Sequence, residues 1–343
     1  MLAARIHELG GPEAFRVEQV PDPVPGREDL LVAVRATSIN HRDAWQRKGH
    51  PHPAYRVELP AILGIDLCGE VVETGAEVDG FAAGDRVTIS PYIPCGRCEN
   101  CRRTHPQYCT AFDVFHGTYA ELAVIPSALA VPVAATVPDA DVASFSNTYI
   151  TAWQMLAGKA AVGPDDTVFV WAGTSGLGSA AIEIARLFGA KVITSVGSEA
   201  KHELVSRLAP DLIVNHYEED ICAAVAEFTE GRGATIVFEH VGEASWERSM
   251  QMAAAGGTIV SAGATSGDHA EIDVTFMFAR QLRILGSRLG TMNDALSAVR
   301  HLEAGAFKPL IAETIPLAEI AAGHRMLEEY APAGKIVVSV SGP

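Results

Sequence analysis

The sequence predicts an α/β protein of two domains, a β-rich body and a doubly wound parallel sheet of six strands. Three observations carry that prediction. Between about residues 149 and 287, short apolar runs alternate with helix-length stretches. A glycine turn, Gly173-Thr174-Ser175-Gly176-Leu177-Gly178, follows the first of those runs and opens a helix. Before residue 148, short alternating runs are broken by Pro, Gly and Asp, the pattern of half-buried strands and tight turns.

In the alternating zone, strands are expected at Thr167–Trp171, Lys191–Thr194, Asp211–Val214, Thr235–Phe238, Gly257–Ser261 and Leu282–Leu285. Helices are expected at Leu177–Phe188, Ala200–Leu208, Asp220–Phe228 and Ala244–Ala255. Elements of these lengths in alternation build a parallel sheet with helices on both faces. Six strands complete a dinucleotide-binding sheet. The first zone, residues 1–148, holds the runs Leu30–Val34, Gly69–Val72, Arg86–Ile89 and Thr118–Val124. From about 288 to 343 come two amphipathic helices, Asn293–Ala304 and Leu317–Glu329, and a strand, Lys335–Val340. The natural partner of that strand is the first zone, which makes 149–287 an insertion between two parts of the other domain.

Composition narrows the function. Of 343 residues 48% are hydrophobic, yet no window is apolar over the length of a membrane-spanning helix. The segment MLAARIHELGG has neither the basic flank nor the apolar core of an export signal, so a cytoplasmic protein is expected. A formal net charge of −16 opposes binding to nucleic acid or to anionic membranes, both of which recruit cations.

Four of the six cysteines, Cys95, Cys98, Cys101 and Cys109, fall in one short stretch spaced C-x2-C-x2-C-x7-C. Thiolates repeated in this way along an irregular loop converge on one tetrahedral ion, and Zn²⁺ with four sulfurs and no open position is a structural site. Disulfides fit poorly in a chain with no export signal. An iron–sulfur cluster shares the opening spacing, but the surrounding Gly, Arg, Asn and Pro and the wide last gap favour zinc. Cys68 and Cys222 read as small buried hydrophobes.

In the glycine turn, Gly173 permits the tight bend, Gly176 lets the backbone approach a pyrophosphate, and Gly178 allows close packing of helix on strand. The N–H groups opening the helix, from Thr174 to Gly178, then hold the diphosphate. A preference for NAD usually shows as an acidic residue ending the next strand. Here the segment reads Thr194-Ser195-Val196-Gly197-Ser198-Glu199-Ala200-Lys201, and Ser198 with Lys201 suits a 2′-phosphate, so NADPH is favoured over NADH. Glu199 dissents, and the bland alternative is that Ser198 caps a helix while Lys201 is a solvated charge.

In these features the chain resembles the medium-chain dehydrogenase/reductase superfamily, which includes zinc alcohol dehydrogenases and quinone oxidoreductases. The resemblance covers essentially the whole length. It rests on the cysteine lobe, Gly64–Val71, Gly84-Asp85-Arg86-Val87, Gly117–Glu121, Thr151-Ala152-Trp153 and the glycine turn. It implies a GroES-like catalytic domain around a Rossmann domain, assembled as a homodimer or homotetramer, with a substrate pocket between domains that segments including Trp45, Tyr55 and Phe115 line. The family's alcohol dehydrogenases hold a second, catalytic zinc, but at the matching positions this chain has Asn40, Ile65 and Asn147. A carboxamide is a poor zinc ligand and isoleucine is none. Those positions are similar instead to the zinc-independent quinone and enone reductases of the family. The same likeness puts His216 near a 2′-phosphate, and His41 and Thr151 in contact with cofactor. Gly263 and Ala264 are further candidates for cofactor contact.

Without a Lewis acid, alcohol oxidation lacks an evident base, whereas hydride addition to a conjugated C=C or a quinone needs only donors at a remote oxygen. The expected reaction is NADPH-dependent reduction of an enal, enone, enoyl compound or quinone. Asn40 and Asn147 would offer N–H groups, and Tyr149 would donate there or return a proton at carbon. Asn40 has a rival role as a backbone brace. His50 and His52 read as solvated loop residues, and Asp43 and Asp66 as structural acids. Two other functions compete with this one: a zinc alcohol dehydrogenase with replacement ligands drawn from His41, Asp66 and His50 or His52, and a cofactor-fold protein without enzyme activity. The acidic charge and the intact glycine turn oppose the latter.

Overall fold

The computed structural model describes residues 1–329 and 333–340. The chain forms two compact units, 1–150 with 290–343, and 151–289.

The second unit is a six-stranded parallel sheet. Its strands lie in the order Leu212–Asn215, Lys191–Val196, Thr167–Val170, Ala234–Glu239, Ala253–Ser261 and Arg283–Gly286, so that the first strand in the chain sits third in the sheet. This is the dinucleotide-binding order 3-2-1-4-5-6. A parallel sheet covered on both faces needs apolar residues on every position; Val168, Phe169, Val170, Val192, Ile193, Val237 and Phe238 are all fully buried. Side-chain caps start the helices between the strands, except Glu243–Met252, which follows Gly242. Ser175, Ser198 and Asp220 each accept a hydrogen bond from the backbone N–H three residues on, and Asp273 does the same for a short helix, Val274–Ala279, that the sequence pattern did not suggest.

One helix ends earlier than expected. The run Ala253-Ala254-Ala255 favours helix by propensity, but helix Glu243–Met252 stops at Met252 and Ala253 pairs with Ala234 as a strand. Tertiary pairing overrides the local preference, and Gly256, at φ +75°, carries the chain through an irregular start to the strand.

The first unit centres on a seven-stranded sheet. Ala130–Pro132, Arg86–Ile89, Cys68–Thr74, Asp29–Ser38, Lys335–Ser339 and Ile311–Pro316 follow one another, with Leu122–Pro126 also paired to Asp29–Ser38. The strand Lys335–Ser339 therefore does join the first zone, antiparallel to Asp29–Ser38 with Val337 opposite Ser38. Its other neighbour, Ile311–Pro316, runs parallel and was not foreseen. Two helices, His41–Lys48 and Ser146–Trp153, were also missed, and these carry the candidate site. The second continues into a π-helical segment, Gln154–Ala160. A stem of two short strands, Tyr92–Ile93 and Asp113–Val114, supports the cysteine lobe. Among the described residues no helix is long and apolar enough to cross a membrane.

Candidate active site, cofactor turn and metal centre

Asn40 and Asn147 meet around one buried carboxylate, Asp66. Asp66 follows the apolar run Leu63–Ile65 and is fully buried. Its Oδ2 accepts from Ser38 Oγ at 2.5 Å, Asn40 Nδ2 at 2.9 Å and Lys335 Nζ at 3.1 Å, and its Oδ1 accepts from the backbone N–H of Asn147 at 2.7 Å. Lys335, 5% exposed, donates also to the carbonyl of Ile39 at 3.0 Å and to Asn40 Oδ1 at 2.6 Å. All three ammonium hydrogens thus have acceptors, which is what a buried cation requires. Asn147 Nδ2 donates to Asn40 Oδ1 at 2.8 Å.

Sequence reasoning had placed Asn40 and Asn147 together and they do meet, but it overlooked Lys335 and Ser38. The amide of Asn40 faces Asp66, with a longer bond to the Ser38 carbonyl at 3.4 Å, so its hydrogens are engaged within the protein. Lys335 left a faint signal: a lysine heading the run Ile336-Val337-Val338 must be buried, and a buried cation needs an acid from an equally apolar segment. Ile65, at the family's histidine position, is fully buried. Tyr149, 1% exposed, lies with its ring stacked 5.6 Å from Phe145 and 5.0 Å from Phe307, in a core setting.

Asp43 lies one turn into the helix that Asn40 caps. Its Oδ2 accepts from Asn40 N at 2.8 Å and from Tyr119 Oη at 2.7 Å. Burial pushes its carboxyl up to about 6, against those two donors. His41 begins the helix with its ring 6.2 Å from Trp45. His50 and His52 are in an exposed or half-exposed loop beside Tyr55, whose ring also lies 5.1 Å from Trp45 and beneath the Arg42 guanidinium. The Nδ1 of each of these two histidines accepts a backbone N–H, from His52 and Ala54 respectively.

In the second unit the glycine turn has the shape its residues suggested, with one change. The left-handed residue is Ala172, at φ +46°, while a Cβ on Gly173 would meet Thr194 Oγ1 at 2.2 Å. Gly173 is needed for close approach of the next strand more than for the bend itself. A Cβ on Gly178 would stand 2.4 Å from the Ala172 carbonyl, the close helix–strand contact expected there. Ser175 Oγ takes the Gly178 N–H at 2.9 Å. Helix Gly176–Leu187 starts directly after this turn, and N–H groups at the head of a helix favour an anion.

Ser198 caps helix Glu199–Val205, accepting from Lys201 N at 3.4 Å. The His216 ring packs 4.4 Å from Tyr217 and beside Gly197. Burial, and then the positive charges of Arg248 and Lys201, lower its pKa. Arg248, unmentioned by any motif, therefore belongs with Lys201 and His216 in one basic corner, and its guanidinium stands 5.3 Å over Trp171. Gly263, where a Cβ would lie 2.6 Å from the His240 carbonyl, and Ala264, close against Gly242, sit where the ends of strands Ala234–Glu239 and Ala253–Ser261 are followed by packed loops. Thr151 is buried near the start of this unit.

The four lobe cysteines offer sulfurs all within 4.8 Å of one another, the one metal-capable grouping of His, Cys, Asp and Glu among the described residues. Cys98 Sγ is 3.4 Å from Cys101 Sγ and 3.9 Å from Cys109 Sγ. Zinc with bonds of about 2.3 Å holds tetrahedral sulfurs roughly 3.8 Å apart, so the donor set fits. A multi-iron cluster would spread the thiolates over its corners. The Cys109 and Cys95 sulfurs also accept backbone N–H groups, from Cys95 and Cys98. The thiols share protons unevenly: the backbone N–H of Cys101 leads in drawing Cys98 down to about 6, while burial leads in pushing Cys101 up to about 12. Metal binding must displace the protons that remain.

Known proteins match both units. Residues 26–136 fit the alcohol dehydrogenase GroES-like domain, and residues 176–304 the zinc-binding dehydrogenase domain. The acryloyl-coenzyme A reductase of Sulfurisphaera tokodaii is 27% identical over 96% of this chain and 97% of its own length. The alcohol dehydrogenase of Schizosaccharomyces pombe is 27% identical over 99% and 98%. Among solved structures, an NAD-dependent alcohol dehydrogenase is 39% identical with a TM-score of 0.95, covering 99% of this chain and 100% of that one. A crotonyl-CoA carboxylase/reductase in complex with NADP is 27% identical with a TM-score of 0.92, covering 99% and 94%. The chain belongs to the medium-chain dehydrogenase/reductase superfamily. Like the relatives it matches, it is an NAD(P)H-dependent oxidoreductase.

Proposed function

We propose that this enzyme uses NADPH to reduce an activated C=C bond (an enal, enone or enoyl thioester) or a quinone, without a catalytic zinc. One observation carries this function: an ammonium already occupies the oxygens of Asn40, which the family resemblance matches to a zinc ligand, and of Asp66, a candidate replacement ligand. A divalent cation sharing those oxygens would stand against a fixed positive charge. The acryloyl- and crotonyl-CoA enzymes among its relatives support the same substrate chemistry.

NADPH, when bound, would supply a hydride for the β-carbon of the substrate, and negative charge would develop on the conjugated carbonyl oxygen. The chain must stabilise that oxygen, and a proton then joins the α-carbon to give the saturated product. Asn147 is the partly exposed member of the Asp66 cluster, and its carboxamide is our choice for the oxygen. Tyr149 is the alternative donor; if its hydroxyl returns the proton, Tyr149→Phe lowers kcat by about 100-fold or more, and an unchanged kcat removes it from the chemistry.

The head of helix Gly176–Leu187 would hold the diphosphate. Ser198, Lys201 and His216, joined by Arg248, would hold a 2′-phosphate, with His41, Thr151, Gly263 and Ala264 as further contacts. The cysteine lobe would hold one structural zinc. The alcohol dehydrogenases among the relatives favour a second possibility, alcohol oxidation at a zinc with replacement ligands. Metal analysis with parallel assays separates the two. One zinc per chain, with NADPH oxidation by crotonyl-CoA, methyl vinyl ketone or p-benzoquinone, supports the first. Two zincs with alcohol oxidation would replace it by the second.

A further inference from the structure

The ion pair between Lys335 and Asp66 does more than neutralise itself. An ammonium only donates hydrogen bonds and a carboxylate only accepts them. Asn40 bonds to both, so its amide has a single permitted orientation, with Oδ1 toward Lys335 and Nδ2 toward Asp66. Reversing it would set N–H against N–H and oxygen against oxygen. Asn40 Oδ1 is then an acceptor for its other neighbour, so Asn147 must present Nδ2 to it. The backbone N–H of Asn147 is tied to the other Asp66 oxygen. Two buried charges therefore settle which way the carboxamide of Asn147 faces, although Lys335 Nζ is not itself bonded to it in this cluster.

We infer that Lys335 is a positioning residue, which acts with Asp66 through Asn40 to hold the Asn147 carboxamide in the orientation that serves the substrate oxygen. This deepens the proposed function and rests on it. An amide free to flip would offer oxygen to a developing negative charge half the time, and a misaligned donor loses most of its effect in the transition state while leaving ground-state binding of cofactor intact.

The experiment is a cycle on the intact enzyme. Lys335→Met/Asp66→Leu removes both charges together and leaves no unpaired ion. Using whichever of crotonyl-CoA, methyl vinyl ketone or p-benzoquinone the wild type reduces, kcat in this variant falls on the order of 100-fold, and the KM for NADPH moves less than about threefold. Asn147→Ala shows a similar loss. Combining the three substitutions gives a kcat within about threefold of Asn147→Ala alone, because residues acting through one another are not additive. Losses that multiply, or a double variant with wild-type kcat, overturn the positioning role. Should that variant not fold, Lys335→Arg decides. A donor-only guanidinium preserves the amide orientation, so kcat stays within about tenfold of wild type; a fall of about 100-fold with NADPH binding intact overturns the role. A wild-type enzyme that reduces none of the three probes brings down the proposed function, and this inference with it.

Discussion

The cysteine lobe and the Asp66 cluster lie in the same unit and offer opposite kinds of donor. In the lobe, four soft thiols converge from an irregular loop. Around Asp66, one carboxylate and two carboxamides converge, and the cation among them is the ammonium of Lys335. Donor chemistry accounts for the difference: thiolates bind zinc tightly enough to lock a loop, whereas amide oxygens suit a donor of directed hydrogen bonds. On the proposed function, one fold would keep a metal site for shape and dispense with another for catalysis.

The contrast can be broken first at the lobe. Cys98→Ser should abolish zinc binding at one site per chain and open the loop, so that trypsin cuts faster at Arg97, Arg102 and Arg103 while kcat changes less than about threefold. Metal analysis and limited proteolysis read this, and a lobe that resists trypsin without metal would remove its dependence on zinc. A somewhat smaller effect is expected at the other pole. Lys335→Ala alone leaves Asp66 charged and buried, and should destabilise the protein by about 3–5 kcal/mol, with chelators making no difference to that loss. Thermal unfolding with and without chelator measures it.

Outside both sites, the basic corner gives a third test. Lys201→Ala should raise the KM for NADPH by about tenfold, the worth of one charge-assisted hydrogen bond, and leave that for NADH unchanged. Equal effects on both cofactors would end its assignment to a 2′-phosphate.

The smallest effect concerns a buried base that lacks what Lys335 has. His324 is fully enclosed beside the rings of Phe15 and Tyr119, and neither ring nitrogen has a hydrogen-bond partner among the described residues. Burial, then the charges of Arg47 and Lys48, hold its pKa well below 6.5. The unfolded chain takes up this proton first, so stability is intact above 6.5 and falls as pH drops below it, by at most about 1.4 kcal/mol per pH unit. Asp43, raised to about 6 from 3.8, has the opposite sign: its contribution is present below 3.8 and is lost as pH rises through 6. His324→Leu should flatten the acid side of a plot of Tm against pH, and an unchanged slope would mean the proton goes elsewhere.

The parallel sheet was legible because each of its strands is a local apolar run between turn signals, and Arg86–Ile89 in the other unit was readable to the residue for the same reason. Helix His41–Lys48 was not, since HRDAWQRK has too few apolar residues to show a period. The asparagines were found through their place in a family pattern. Lys335 escaped because its partner Asp66 lies 269 positions away, so the apolar run after the lysine hints at burial without naming the acid.

That distance has a consequence for biosynthesis. Asp66 and Asn40 leave the ribosome long before Lys335, with the whole of 151–289 made in between. At about 5–20 residues per second the wait is on the order of a quarter of a minute to a minute. During it a carboxylate destined for burial has no counter-ion, so the inserted unit can fold while the unit whose sequence it interrupts stays open. Nascent chains halted before residue 335 should therefore expose the segment around Asp66 to protease and protect the nucleotide sheet.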